Sequence, residues 1–215
     1  MSDLRALVGQ DSLSANSEGQ FADIKASKRG ELIVIDWYKQ MAIEGRVFQV
    51  RAGTITTPIV GDLLITDAAA EMCADAATGT TIIPSYLNIG IRLGTGILHE
   101  YAAKSVGAVS TAGTAFVPLN LLVGGAAPAS TARAATAGGC TVAAEVATTT
   151  RRHWSASNPL TVGAGNEQTT FEWTPRVPPV CVGPASFYVQ IAASGTGPSY
   201  YAHFNYVELA TTAIS

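Results

Sequence analysis

Charged side chains are scarce: 13% of the 215 residues are Asp, Glu, Lys or Arg, against roughly 25% in an ordinary soluble domain. At 47% hydrophobic, the chain is too apolar for a solvated coil. The formal net charge is −3, so no positive field steers it to nucleic acid or to an anionic membrane. Neither is expected as a partner. Cysteine is equally sparse. Cys73, Cys140 and Cys181 lie far apart with no Cys-x-x-Cys, which argues against a zinc knuckle or a redox dithiol. Each is expected as a small buried hydrophobe. No apolar run approaches the ~18–20 residues of a membrane-spanning helix; the longest, Ala115–Ala127, is broken by Pro118, Gly124 and Gly125. The opening MSDLRALVGQDSLSANSEGQ has no signal-type apolar core, and no Asn-x-Ser/Thr occurs. Synthesis in a cytoplasm without ordinary secretion is expected.

Motifs of catalysis are lacking too. His99-Glu100 begins like His-Glu-x-x-His, but Ala103 stands where the second imidazole belongs. A strand histidine at a sheet edge is expected instead. Gly94-x-Gly96 and Gly163-x-Gly165 lack the third glycine of a dinucleotide fingerprint, and no Gly-x-Ser-x-Gly elbow or phosphate-cradling loop occurs. Asp62, Asp67, Glu71 and Asp75 are spaced five, four and four apart. On a helix the last three would share one face, as a loose Ca²⁺ or Mg²⁺ site or as a solvated acidic face. No EF-hand pattern supports the first. The solvated face is the expectation, with no metal, no cofactor and no enzymatic activity.

What charge there is sits at the front. Residues 1–52 hold 7 Lys+Arg and 7 Asp+Glu, 14 of the 29 charges, whereas between Ser105 and Thr150 only Arg133 and Glu145 are charged. Residues 1–30 read as an extended polar arm, with Leu4, Leu7 and Val8 at helical spacing. Residues 31–215 read as an all-β domain, a β-sandwich or jelly roll of roughly nine or ten strands. Strand signals fall on Glu31–Trp37, Arg46–Thr57, Asp62–Thr66, Thr80–Leu93, Ile97–Lys104, Ala115–Val123, Cys140–Thr149, Gln168–Thr174, Pro184–Ala193 and Ser199–Leu209. Pro84 implies an edge or a bulge. Gly94-Thr95-Gly96 and the link SGTGP read as hairpin turns. Asp67–Ala77 (DAAAEMCADAA) reads as the one short helix, on alanine's propensity; Tyr38–Glu44 offers a second short turn stopped by Gly45. The aromatic set Phe171, Trp173, Phe187, Tyr188, Tyr200, Tyr201, Phe204 and Tyr206 is expected to fill the core.

The Ala/Gly/Thr/Ser-rich, weakly charged β-chain with a polar arm resembles tailed-bacteriophage virion proteins. Its closing strands Phe187–Ala193 and Tyr200–Leu209 are similar in character to jelly-roll capsid decoration (cement) and head-fibre proteins. The resemblance implies a homo-oligomer, a trimer above all, on the capsid exterior and bound to the major capsid protein of the same virion. It carries over no site residue. From the residues themselves, the arm is expected to tie neighbouring capsomers through Leu7, Val8, Phe21 and Ile24, with Lys25, Lys28 and Arg29 gripping an acidic surface. Arg151 and Arg152 are expected at an inter-subunit contact or as a loop anchor. The alternatives are a tail or fibre protein that binds a host-surface glycan through exposed Trp154, Trp173 or Tyr200, and a tail-adaptor or tube component. If the arm does the tying, deletion of residues 2–25 abolishes co-sedimentation with the shell of the virus that encodes the protein. Undiminished co-sedimentation removes that role.

Overall fold

The computed structural model of the chain describes residues 5–7, 21–23, 36–65, 68–93, 98–134, 139–158, 169–195 and 197–214. Within the arm, β1 (Arg5–Leu7) and β2 (Phe21–Asp23) form an antiparallel pair. The helical turn expected around Leu7 is therefore strand where it is described; Leu4 and Val8 lie outside the described residues. The helix α1 (Trp37–Ile43) follows. Then come β3 (Val47–Ala52), β4 (Ile59–Val60), β5 (Ala69–Ala70), β6 (Met72–Ala76), β7 (Thr80–Leu93) and β8 (His99–Val106). The middle holds β9 (Thr114–Phe116), β10 (Leu119–Asn120), β11 (Thr131–Ala134), β12 (Cys140–Thr141) and β13 (Arg151–Asn158). The chain closes with β14 (Thr169–Trp173), β15 (Cys181–Val182), β16 (Ala185–Ala193) and β17 (Ser199–Ala210). Nine of these strands have four or more residues, in line with the expected all-β sandwich.

Two antiparallel sheets face each other. One runs β10-β3-β17-β7-β14, with β15 also on β7 and β4 on β17; the other runs β13-β8-β16-β6-β11-β9. The core lies between them. Phe48, Val50, Leu87, Ile89, Phe204 and Tyr206 enter from the first sheet, and Met72, Ala74, Tyr101, Phe187, Val189 and Ile191 from the second. Period-two alternation puts these residues on the inner faces. Strand β17 shows it plainly: Tyr200, Ala202, Phe204 and Tyr206 are buried while Tyr201, His203 and Asn205 are half-buried on the outside. Pro84 sits at a bulge, where Asn205 pairs Tyr86 and Tyr206 pairs Pro84, leaving Ser85 unopposed. The extra residue reverses the parity of β7, so Ile82 and Leu87, five apart, both reach the core. Strand β7 is interior to its sheet, so the bulge and not an edge accommodates the proline.

Three sequence expectations are corrected. The DAAAEMCADAA segment is strand β5 and β6, not helix. Strand β6 pairs both β16 and β11, with all five residues buried; a ladder on two sides outweighs alanine's preference, which amounts to less than ~0.7 kcal/mol per residue over most other types. The short helix is α1, capped by Asp36, whose Oδ1 accepts from the Tyr38 and Lys39 amides at 3.0 and 3.3 Å, and ended before Gly45 at φ +70°. Neither supposed hairpin is one. Strands β7 and β8 belong to different sheets, as do β16 and β17. The link after β16 crosses the ~10 Å between packed sheets, so Phe187 and Phe204 meet edge to face across the core at 5.1 Å. Of the Asp62–Thr66 strand, residues 62–65 are described and form none: Asp62 makes an isolated parallel bridge to Ala192.

Phe187 also stacks on Trp173 at 6.1 Å. Its replacement by alanine opens a cavity at the junction of both sheets, and Phe187→Ala is expected to cost about 3–5 kcal/mol, read from urea denaturation. A loss under about 1 kcal/mol would contradict this packing.

Candidate functional site

The outer face of the six-stranded sheet is covered over β6 and β16, so polar side chains expected at the surface are buried. Asp75, 4% exposed, accepts from the Ser110 amide at 2.9 Å, the Ser110 hydroxyl at 2.7 Å and the Ser186 hydroxyl at 2.5 Å. Arg133 stands 3.7 Å away. The Cys73 thiol lies 3.0 Å from the same Ser110 hydroxyl, and Cys73 and Cys140 pack with Val106, Val142 and Tyr188. All three cysteines are buried and reduced, as expected. Glu71 meets a different need. Strand β6 starts at Met72, so the Ile191 amide has no strand partner on that side; Glu71 Oε2 accepts it at 2.7 Å, and Oε1 takes the Asp62 amide at 3.3 Å. The supposed acidic helix face is thus two buried loop anchors, and Asp67 lies outside the described residues. Among the described residues no group of three or more His, Cys, Asp or Glu is placed to hold a metal ion, and no helix is long and apolar enough to cross a membrane.

His99 is buried in β8 between β13 and β16, not at an edge, with Nδ1 3.2 Å from the Tyr101 hydroxyl. Arg152 Nη2 and Lys104 Nζ converge on Glu145 at 3.1 and 2.5 Å. Arg152 is thus paired within the chain, and the Lys104 hydrogen bond above all holds the Glu145 carboxyl below its ordinary value. Lys104 is only 2% exposed, so Glu145 supplies the counter-charge its burial demands. Arg151 is exposed, opposite Ser105 in the β13–β8 register. Leu7 and Phe21 sit directly opposite each other in the β1–β2 pair. The remaining arm anchors, Val8, Ile24, Lys25, Lys28 and Arg29, lie outside the described residues.

Two surfaces of the seven-stranded sheet bear on partners. The first is its β10 edge. Val117, Leu119, Leu121, Leu122 and Val123 are exposed, Val123 at 97%, and Ile43 at the end of α1 joins them. The loop that bears them is held firmly. Asn120 Nδ2 donates to the carbonyls of Gly45 and Ala126 at 2.9 and 2.8 Å, its Oδ1 accepts the Leu122 amide at 2.9 Å, and the Gly125 amide closes on Leu122 O at 2.8 Å. Beyond it, Glu208 accepts the Ala129 and Ser130 amides at 2.8 and 2.9 Å and the Ser130 hydroxyl as well.

The second surface is a groove of about 450 Å³ on the outer face. Trp37 and Tyr38 from the first turn of α1 form one wall, Thr174, Pro175 and Pro178 the other, and Ser85, Tyr86 and Asn205 the floor. Outward residues of adjacent strands continue it as rows. Asn205 lies between Gln49 and Tyr86, and His203 between Arg51 and Asn88, with Glu172 beyond. The Tyr86 hydroxyl and Asn88 Nδ2 both donate to Glu172 Oε1, at 3.1 and 3.2 Å. Burial pushes His203 below its ordinary value despite Glu172, leaving the imidazole neutral at pH 7. The glycan reading of the sequence rested on other rings: Tyr200 is buried, and Trp154 and Trp173 pack half-buried against the core. Trp37 and Tyr86 were not singled out because they belong to distant elements. The available signal was the aromatic pair directly after a capping Asp36.

Compared with known protein families, characterised proteins and solved structures, the chain matches none.

Burial, reinforced by the Asp62 carboxylate, pushes Glu71 up to about 8. The unfolded carboxyl titrates near ~4.3. Between those values the native chain keeps a proton that the unfolded chain has lost, so this contribution is complete below the unfolded value and disappears as pH rises through 8. His153 and His203, both lowered by burial, act in the opposite sense. The difference from a Glu71→Gln variant isolates the carboxyl: the native urea midpoint is expected to fall relative to the variant's between pH 5 and pH 8. Parallel profiles would show that Glu71 does not titrate there.

Proposed function

We propose that the protein is a non-catalytic structural subunit of a bacteriophage virion, a capsid decoration (cement) protein that associates with copies of itself through the β10 edge and sits on the major capsid protein. The observation that carries the assembly half is the Val117–Val123 loop. Apolar side chains normally leave the surface when a loop is free to fold inward. Here the Asn120 hydrogen bonds hold the backbone in place, so the exposed leucines and valines are presented in a fixed arrangement. Pre-organisation of this kind lowers the entropic cost of association.

Charge fits a self-contact. The Val117–Val123 loop carries no ionised group, and its segment between Ser105 and Thr150 carries only Arg133 and Glu145. Around a symmetry axis identical residues meet or nearly meet, and a neutral patch brings no like charges together. Composition and the polar arm support the virion half of the reading. Leu119, Leu122 and Val123, with Ile43 from α1, are the residues assigned to the contact.

Light scattering at micromolar concentration is expected to give a trimer, three times the 22.2 kDa chain. The double variant Leu122→Asp, Val123→Asp is expected to run as a monomer with the native far-UV circular dichroism and a urea midpoint lowered by the lost association. A monomeric native protein, or a variant that keeps the native mass, would overturn the assignment of this edge.

A further inference from the structure

We infer that the groove between α1 and residues 174–178 is a saccharide-binding site. The inference is independent of the assembly reading, because the groove is complete within one chain. Its walls are the first point. Trp37, 39% exposed, and Tyr38 and Tyr86 border an open channel together with Pro175 and Pro178. Aromatic faces exposed in a concavity offer apolar contact to a ring with an aliphatic face, and sites of this form are usually apolar with a few polar groups that fix orientation.

The polar groups decide between ligands. Gln49 Nε2 donates to Asn205 Oδ1 at 3.1 Å, which leaves Asn205 Nδ2 as a donor and Gln49 Oε1 as an acceptor uncommitted among the described residues. Tyr86 and Asn88 share Glu172 Oε1, which leaves Glu172 Oε2 and Asn88 Oδ1 as acceptors among the described residues. Arg51 adds donors on the far side of His203. Both donors and acceptors therefore stand in the rows that continue the groove: Asn205 in the groove itself and Gln49, Arg51, Asn88 and Glu172 beside it. A polyol suits that pattern, because every hydroxyl both donates and accepts. An anionic ligand does not: Glu172 offsets Arg51, and His203 is held neutral. A peptide in extended polyproline form would use the aromatic and proline walls but leave the amide and carboxylate rows unused.

The test is a glycan array probed with the purified full chain, followed by calorimetric titration of the strongest hit into the native protein, Trp37→Ala and Glu172→Gln. A decaproline peptide is titrated in parallel. Saturable binding of a saccharide is expected, weakened about tenfold in each variant while urea midpoints stay unchanged. Glu172→Gln keeps the side chain's shape, so it reads the polar row even if Trp37→Ala perturbs α1. No saturable saccharide binding on the array would overturn the inference. So would binding undiminished in both variants, or binding of decaproline in place of a sugar.

Discussion

Carboxylates bonded to backbone amides hold this sandwich together. A chain so rich in Ala, Gly, Thr and Ser has few large side chains with which to fix its loops, yet it folds several of them against its sheets. Buried amides need acceptors. Asp36 supplies one for the first turn of α1, Glu71 for Asp62 and Ile191, Asp75 for Ser110, and Glu208 for Ala129 and Ser130. Hydrogen bonds to charged groups are worth about 1.5–3 kcal/mol each, more than neutral ones; Glu71, which burial keeps protonated up to about pH 8, accepts as a neutral carboxyl and belongs to the weaker kind. Glu145 works the other way round, as the acceptor for the buried Lys104 and for Arg152. Glu71, Asp75, Glu145 and Glu208 are thus spread over separate loop contacts, and among the described residues no group of three or more His, Cys, Asp or Glu is placed to hold a metal ion.

The same constraint explains what the sequence shows and what it hides. Features fixed within a few residues were legible: the strand at β17, an edge or a bulge at Pro84, the stop at Gly45, the aromatic filling of the core by Phe187 and Phe204. Features fixed by distant partners were not. SGTGP suits a hairpin or a crossing between sheets equally well, and only the packing of Phe187 on Phe204 decides. Asp75 four residues from Glu71 looks like a helix face until Ser110 and Ser186 are brought to it from 35 and 111 residues away. Arg152 stood out as a charge beside an uncharged stretch, but its partner Glu145 was not legible.

The groove was hidden for a related reason. Its floor depends on the bulge at Ser85. Without that extra residue Tyr86 would point into the core with the parity of Ile82, and Trp37 and Pro175 would face a different surface. A bulge can be suspected from a proline, but which side chains it turns outward follows only from the register with β17.

Open and covered faces divide the molecule. The six-stranded sheet has its outer face closed over β6 and β16 by the loops that Asp75, Glu71 and Glu145 hold down, and open beside β13. The seven-stranded sheet keeps its outer face and its β10 edge, and α1 connects them: Trp37 lines the groove, and Gly45, just past the helix, lies beside Leu122. A seven-residue helix is about 10 Å long. An assembly formed at the β10 edge therefore sets the grooves of its copies at fixed, short offsets from the symmetry axis. Several weak saccharide contacts made at once are stronger than one by far more than their sum, through effective concentration. Under the two proposals taken together, a shallow groove that binds weakly on a single chain would become an adhesive surface where the apolar edge repeats it.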